Sequence, residues 1–254
     1  MEHRPLGAPT LRAITFSDVK NSLAQALADF RAAPLIDLFF ASFFVGVGLI
    51  MAWITYQTGT TFWLVLAVLG FPLVGTLAAL GFYEISRRRA ANQPLHFGEI
   101  AAVVWAHHKG QLPWLATIIV VVFLFWFFLG HMIFALFLGL SPMTNVSTSI
   151  DVYLTSDGLT MIAFGTIVGA LFATLVFSVS IFGIPMIMDR DVDFITAMIR
   201  SIGAVLASPA LYLAWGLFIA ICTLIAMLPA FLGLFIAMPI LGHATWHLYS
   251  RAAH

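Results

Sequence analysis

The stretch PALYLAWGLFIAICTLIAMLPAFLGLFIAMPILGHATWHLY, residues 209–249, decides the fold, because it contains no Asp, Glu, Lys or Arg. As one helix with a rise of about 1.5 Å per residue it would be roughly 60 Å long. The hydrocarbon core of a bilayer is only about 30 Å thick, so the stretch has to fold back. Proline is tolerated at the first position of a helix, which makes Pro229 the expected turning point. The sequence therefore predicts two spans, at about 208–227 and 230–249.

The composition excludes a soluble globular protein. Apolar residues make up 62% of the 254 residues and charged residues only 9%, whereas soluble domains contain about 45–50% and about 25%. The 11 basic residues balance the 11 acidic ones, so the charge gives no indication of nucleic-acid binding. The single cysteine, Cys222, excludes an internal disulfide. The class of protein that is left is a polytopic membrane protein.

Three further charge-free runs, 38–83, 110–150 and 158–188, contain the other predicted spans. A spanning helix needs about 20 apolar residues, so the first run holds two spans and the others one each. The four spans are placed at about 35–56, 62–86, 114–140 and 159–187. The sequence thus predicts an all-α protein with six transmembrane helices.

The basic residues determine the predicted orientation. Six spans and an inside N-terminus leave the inner segments 1–34, 87–113, 188–207 and 250–254, and all 11 basic residues fall in them. The polar first 33 residues lack the apolar core of a cleaved signal peptide, so the first span is expected to be a retained anchor. We predict a multi-pass protein of the bacterial inner membrane with both termini in the cytoplasm.

One pattern recurs three times in the inner segments. An acidic residue begins an amphipathic stretch, which is typical of a helix lying at a membrane interface. A proline then opens the next span, in the pairs Asp18 and Pro34, Glu99 and Pro113, and Asp193 and Pro209. The even-numbered spans share a second feature, an internal proline that is expected to kink the helix. These prolines are Pro72, Pro185 and Pro239.

Both features together predict a threefold repeat of an interfacial helix followed by a helical hairpin. The units cover about 16–89, 97–190 and 192–251, within a single membrane domain at 15–254 that follows a flexible N-terminus at 1–14. The alternative is that any six-span protein shows some prolines at span starts and some amphipathic linkers.

Three motifs resemble a known family. GFYEISRR at 81–88, PILGHATWHLY at 239–249 and MDRDVD at 188–193 are similar to signatures of an uncharacterised family of bacterial integral membrane proteins. The resemblance extends from about residue 15 to the end of the chain. The family is a domain of unknown function, and some members carry the label of cytochrome c oxidase subunits. The resemblance supplies no catalytic residues.

The oxidase label implies that the protein associates with a respiratory complex, and it does not imply a catalytic activity. The catalytic oxidase subunit is a larger protein with several haem- and copper-binding histidines deep in the bilayer. This chain has one histidine well inside a span, His131, so it cannot be that subunit. An accessory, assembly or quality-control role is the most that the label implies.

His243 and His247 are the best candidates for chemistry, because residues four apart lie on one helix face and can chelate one metal ion. The alternative is that they belong to an interfacial aromatic belt. If the even-numbered spans pack together, we expect a polar cluster of Glu84, His243 and His247 at the inner face, with Asp189 as a further member. This cluster could bind a metal ion. The alternative is a set of helix-end charges paired with neighbouring arginines.

His131 is a candidate functional position because ionisable groups inside a membrane are costly. A neutral histidine hydrogen-bonded to a neighbouring helix is the alternative. The internal prolines Pro72, Pro185 and Pro239 are candidate hinges. The sequence contains no phosphate loop, nucleophile elbow or dinucleotide fingerprint, so no catalytic residue and no organic cofactor is assigned.

Three functions are consistent with these patterns. The first is a non-catalytic subunit or assembly partner of a respiratory or other inner-membrane complex, in contact with other membrane subunits or with copies of itself. The second is a transporter or channel for a small or hydrophobic solute, since broken helices often line substrate sites. The third is a membrane-embedded metal-dependent enzyme, which ranks last because almost no charged residue lies within the bilayer.

Overall fold

The computed structural model is all-helical over the residues that it describes, which confirms the predicted all-α class. These residues are 5–59, 64–139 and 150–253, and side chains are described for all of them except 64–74, 77, 150 and 152. The helices of this part of the chain are α1 (Phe16–Ala32), α2 (Pro34–Thr58), α3 (Leu64–Ala90), α4 (Phe97–Ala106), α5 (Leu112–Leu138), α6 (Ser156–Asp189), α7 (Phe194–Ala207), α8 (Pro209–Met227) and α9 (Leu234–Ala253).

Local sequence signals explain where several helices begin. Thr15 and Asp18 form a capping box at the start of α1, each side chain bonding to the backbone N–H of the other residue. The side chain of Asp193 caps α7 by accepting a hydrogen bond from the N–H of Thr196. Pro34 opens α2, where its missing N–H removes no helical hydrogen bond. Short amphipathic helices therefore precede long apolar ones, as the acid–proline pattern predicts.

Four helices are long and apolar enough to cross a membrane: α2, α5, α6 and α8. They correspond to four of the predicted spans. α3 and α9 do not meet this criterion within the described residues. The second half of α9 carries His243, Thr245, His247 and Arg251, which lower its mean hydropathy. The structure thus supports an integral membrane protein, and the count of six spans stays a prediction.

The turn between α8 and α9 differs from the prediction in detail. The chain does reverse around Pro229, but the turn occupies 228–233 and α9 begins only at Leu234. The predicted turning point is therefore confirmed, and the predicted start of the last span at about 230 is too early. Phe231 has a positive φ of 64°, and a Cβ on Gly233 would lie 2.6 Å from the carbonyl oxygen of Ala226. The backbone of the turn thus lies close against the end of α8, where only glycine fits.

The three helices with internal prolines, α3, α6 and α9, contact one another at the centre of the bundle. The short helices pack against them, with α1 on α9, α4 on α3 and α7 on α6. The outer long helices join in hairpin pairs, α2 with α3, α5 with α6 and α8 with α9. The first and last helices of the chain are therefore neighbours.

The bundle has two unlike ends. The compact end comprises 78–88 of α3, 178–188 of α6 and 241–252 of α9, with the three short helices packed around them; in 80–86, 181–188 and 243–249 every residue is buried. Aromatic contacts fill its centre, including those of Phe182 with Tyr249 and of Tyr83 with Trp246. The open end comprises the distant halves of α2, α5, α6 and α8, where most described side chains are partly or fully exposed.

The N-terminal segment crosses the compact end in an extended conformation. The N–H of Gly7 donates to the Asp191 carbonyl at 3.0 Å, and the N–H of Asp191 donates to the Pro5 carbonyl at 3.0 Å. Further along, the N–H of Arg12 donates to the Ala252 carbonyl at 2.9 Å. The segment thus connects the ends of α6 and α9. The predicted division into a flexible 1–14 and a single domain stays a prediction.

Candidate functional site

Five buried polar side chains form one hydrogen-bonded network inside the compact end. They are Asp29 from α1, Asp37 from α2, Ser86 from α3, and His243 and His247 from α9. His247 is 9% exposed and the other four are at most 4% exposed. We call this set the His–Asp network. Because buried polar groups are costly unless they are paired, the network fixes how these four helices meet.

His243 is at the centre of the network. Its Nδ1 lies 2.8 Å from Ser86 Oγ and 3.0 Å from the Phe82 carbonyl oxygen, and its Nε2 lies 3.1 Å from Asp37 Oδ1. The Phe82 carbonyl can only accept and the Ser86 proton is directed to Asp29, so the hydrogen-bond pattern assigns a proton to Nδ1. A second proton is then shared between Nε2 and Asp37. The pair is either imidazolium with carboxylate or imidazole with carboxylic acid.

Asp29 is the acceptor on which the network converges. Its Oδ2 accepts hydrogen bonds from Ser86 Oγ at 2.6 Å and from His247 Nε2 at 2.7 Å, while Oδ1 accepts from an Arg89 nitrogen at 2.5 Å. Burial raises the pKa of Asp29, but the hydrogen bonds from His247 and Ser86 and the nearby histidines outweigh it. The pKa of Asp29 is therefore lowered, and the carboxylate stays ionised.

Glu84 lies outside this network. Its Oε1 and Oε2 accept from Arg87 at 3.0 and 2.8 Å, and Oε1 also accepts from Arg88 at 2.7 Å. Arg88 in turn pairs with Glu99 of α4 at 2.5 Å. Residues two apart on a helix are separated by about 200° around its axis, so Glu84 and Ser86 face different neighbours. The structure therefore places the two histidines with Asp29 and Asp37, and Glu84 with arginines.

Asp189 contacts the same helix as the network without joining it. Its Oδ2 accepts a hydrogen bond from the Tyr249 hydroxyl of α9 at 2.9 Å and lies 3.3 Å from Arg190 Nε. Asp189 therefore ties the end of α6 to α9, two residues beyond His247.

The remaining candidate positions lie apart from the network. His131 is exposed in the open end, where its Nδ1 contacts the Phe127 carbonyl of its own helix at 2.8 Å. Pro185 lies close to the end of α6, whereas Pro239 lies in the second turn of α9. Pro72 falls within α3, and its side chain is outside the described residues. As hinges, all three prolines stay predictions.

Asp29, Asp37 and Ser86 are site residues that sequence reasoning missed. In the sequence, Asp29 belongs to the polar face of amphipathic α1, and Asp37 has the position of an interfacial charge at the start of a span. A signal was present, because Ser22, Ala26 and Asp29 recur at helical spacing and form the face of α1 that is buried in the structure. Asp37 is a carboxylate in the first turn of an apolar helix, which is costly without a partner.

His243 and His247 are the histidines of the predicted metal site. No group of three or more His, Cys, Asp or Glu side chains that could hold a metal ion occurs among the described residues. Both nitrogens of His243 and the Nε2 of His247 already face protein oxygens at hydrogen-bonding distance. A metal ion would have to replace these hydrogen bonds. A metal site at His243, His247 and Glu84 stays a prediction.

Comparison with known proteins gives one finding. Residues 64–189, about half of the chain, match a family model described as a predicted integral membrane protein (DUF2189). The matched segment begins with α3 and ends with α6, so it includes Glu84 and Asp189 and leaves out both histidines of the network. No curated protein and no solved structure matches the chain.

Proposed function

Since the chain belongs to this uncharacterised family of predicted integral membrane proteins, we propose that it acts as a non-catalytic accessory or assembly partner of a membrane complex. The complex would be a respiratory one of the cytochrome oxidase type or another complex of the bacterial inner membrane. The observation that carries the proposal is the apolar open end. Only 11% of the apolar window of α5 and 17% of that of α8 is buried within the chain. Such surfaces are covered by lipid or by helices of another subunit.

The burial of the His–Asp network supports a structural role over a catalytic one. The side chains of His243 and Asp37 are fully buried, so a substrate has no direct access to them in this conformation, and a solute could reach Asp37 only if the helices moved apart. The groups that can reach them are protein groups of α1, α2 and α3. In this proposal the network holds the compact end rigid while the open end contacts other membrane components.

Affinity purification from native membranes in a mild detergent tests this function. We expect a stable membrane partner in fixed ratio, and a haem absorbance spectrum in the purified sample if the partner is an oxidase. A matched variant with Phe125→Ser and Phe128→Ser on α5, both 67% exposed, should lose the partner and remain folded. Recovery of the protein alone in every detergent, or equal recovery of the partner with the variant, would contradict the proposal.

The orientation belongs to the same proposal: six spans, with the compact end and both termini in the cytoplasm. The support is that all 11 basic residues fall in the predicted inner segments. Cysteine labelling tests it in a Cys222→Ser background, since Cys222 is the only cysteine. Arg200→Cys should be shielded from an impermeant thiol reagent in intact cells, and Asp157→Cys should be labelled. The opposite pattern would reverse the topology.

The threefold repeat is proposed from the helix contacts. Each short helix packs on one proline-containing helix, and each proline-containing helix pairs with the long helix before it. The internal prolines do not strengthen the proposal, because Pro185 and Pro239 lie at different distances from the ends of their helices. The repeat thus rests on helix order and packing.

A transporter of a small or hydrophobic solute is the second candidate function. The observation that favours it is Asp37 Oδ2, which is buried and has no hydrogen-bond partner in the described part of the chain. This free acceptor, inside the first turn of a membrane-spanning helix, could receive a donor from a solute. Uptake of a small or hydrophobic solute into proteoliposomes that is lost with Asp37→Asn and kept with Asp157→Asn would support transport. Uptake that is unchanged by both substitutions would contradict it.

The metal hypothesis has its own experiment. The metal content of purified protein is compared with that of His243→Ala and, as a control, His131→Ala. A metal site at the His243–His247 pair predicts a stoichiometric metal that is lost only with His243→Ala. Equal metal content in all three proteins would contradict it.

A further inference from the structure

A cavity of about 460 Å³ opens at the compact end, between α1 and the last turns of α3 and α9. Its volume is in the range of small-molecule sites, roughly 300–1,000 Å³. The polar side chains around it are those of Gln25, Asp29, Arg89, His247, Ser250 and Arg251, so one carboxylate lies in the wall beside the two arginines. Two guanidinium groups therefore face one cavity at the edge of the His–Asp network.

The two arginines differ in how their charge is balanced. Arg89 pairs with Asp29 at 2.5 Å. Arg251 contacts the neutral amide oxygen of Gln25 at 2.9 Å, and within the described ranges no carboxylate pairs with it. The Nε of Arg251 is buried and has no hydrogen-bond partner there. A buried guanidinium donor without an acceptor is unfavourable, so an anionic acceptor bound at Arg251 would be stabilising.

We propose that this cavity binds the phosphate group of an anionic ligand, with Arg251 as the principal contact. A planar guanidinium matches the oxygens of a phosphate in a paired, charge-assisted hydrogen bond, which a neutral amide cannot replace. Basic pockets between helices at a membrane surface are a known way of binding lipid headgroups. The proposal does not depend on the accessory role, because it concerns a ligand rather than a partner protein.

Two sources can supply such a phosphate: an anionic phospholipid and free inorganic phosphate. The position beside α1 favours the lipid. α1 is amphipathic and leaves Phe16 75% and Leu27 38% exposed, as expected for a helix that lies against acyl chains. A lipid headgroup in the cavity would have its chains next to this surface.

Both arginines lie close to the C-terminal ends of their helices, where positive charge also offsets the helix dipole. The experiment has to separate this structural effect from ligand binding. Arg251→Lys keeps the charge and removes the guanidinium, and Arg251→Gln removes both. Ala90→Phe fills the cavity and leaves all charges in place, since Ala90 is part of its wall. Arg200→Gln on α7 is the matched control, an exposed arginine of the compact end outside the cavity.

The full-length protein is purified in detergent and titrated with phosphatidylglycerol, with phosphatidylcholine and with inorganic phosphate. Native mass spectrometry counts retained lipids, and the thermal midpoint reports stabilisation. We expect selective retention of phosphatidylglycerol by the wild type and by Arg200→Gln. The apparent affinity should fall at least tenfold with Arg251→Gln and with Ala90→Phe, and by less with Arg251→Lys. Circular dichroism in phosphatidylcholine checks that each variant is folded.

The arms of the titration identify the source. Stabilisation by inorganic phosphate that competes with the lipid would assign the site to phosphate in general, whereas an effect of phosphatidylglycerol alone would assign it to a lipid headgroup. Equal retention of both lipids by the wild type, with no effect of phosphate, would overturn the proposal. So would unchanged phosphatidylglycerol affinity in both Arg251→Gln and Ala90→Phe.

Discussion

The two ends of the bundle differ in the contacts that their side chains make. At the compact end, Asp29, Asp37 and His243 are buried with partners from other helices, so position and orientation are fixed by polar contacts. At the open end most exposed side chains are apolar, and within the described residues the exposed His131 bonds only to its own helix. The polar contacts that fix how the helices pack are therefore concentrated at the compact end, and the apolar surface is concentrated at the open end.

The contrast also explains the distribution of small residues. At the compact end a Cβ on Gly81 or Gly242 would lie within 2.6 Å of a phenylalanine ring, which shows how closely the helices approach. At the open end a Cβ on Gly46, Gly130 or Gly165 would meet nothing within 4 Å. Close packing therefore requires glycine at Gly81 and Gly242 but not at Gly46, Gly130 or Gly165, although Gly48 of α2 also lies tight against Phe231.

Removing the central histidine should give the largest effect. His243→Ala leaves Asp37 buried without its partner, and breaking a buried pair destabilises a protein by about 3–5 kcal/mol. His131→Ala, the matched change at the open end, should alter stability by less than about 0.5 kcal/mol. The thermal midpoint in detergent measures both. Adding Asp37→Leu to His243→Ala should recover part of the loss, and similar midpoints for the two histidine variants would contradict the contrast.

A second test compares glycines. Gly242→Ala places a methyl group 2.6 Å from the ring of the buried Phe82, and overpacking of this kind costs about 1–3 kcal/mol. Gly165→Ala meets open space, and it should be neutral or stabilising by up to about 1 kcal/mol, because alanine favours the helix. Denaturation monitored by circular dichroism would measure the two changes. A loss of stability with Gly165→Ala as large as that with Gly242→Ala would contradict the prediction.

Acid should loosen the compact end first. The hydrogen bond and charge of Arg12 hold the pKa of Asp18 below its usual range, against a smaller opposing effect of burial, and the pKa of Asp29 is lowered as described above. Each stabilising contribution is fully present above the unfolded pKa of about 3.9 and is lost as the pH falls through the lower folded pKa. The thermal midpoint should therefore drop below about pH 4. Asp18→Asn should show a smaller drop, and an unchanged drop would exclude Asp18 as a source.

The smallest expected effect concerns the start of α1. Thr15→Ala removes the cap formed with Asp18, and loss of a cap costs about 1 kcal/mol. Lys20→Ala on the exposed face of the same helix serves as the control. Hydrogen exchange of the α1 amides should increase with Thr15→Ala and stay unchanged with Lys20→Ala. An equal increase in both variants would show that the compact end does not depend on this cap.

Much of the fold could be predicted from periodicity and charge, because these properties are local in the sequence. The observed helices α2, α5, α6 and α8 lie within a few residues of the predicted spans. His243 and His247 were identified because their spacing is visible along one helix. Their partners were not, since Asp37 lies 206 residues from His243 and Asp29 lies 218 residues from His247. No pattern within one sequence indicates which helices meet at that distance.

The turn at Pro229 shows another limit. The position of a proline indicates where a helix can begin, but here the turn extends to Gly233, which lies close to the backbone of Ala226 at the end of α8. This contact joins two residues seven positions apart across the turn, so it depends on how the chain reverses and not on the proline alone.

The contact between the first and last helices has a consequence for biosynthesis. Asp37 is made 206 residues before His243, and Asp29 is made 218 residues before His247. Until α9 is made, Asp29 has only its contacts with Ser86 and Arg89, and Asp37 lacks its histidine partner. Only a chain that includes α9 can complete the His–Asp network, so the contacts that fix α1 and α2 at the compact end form late in synthesis.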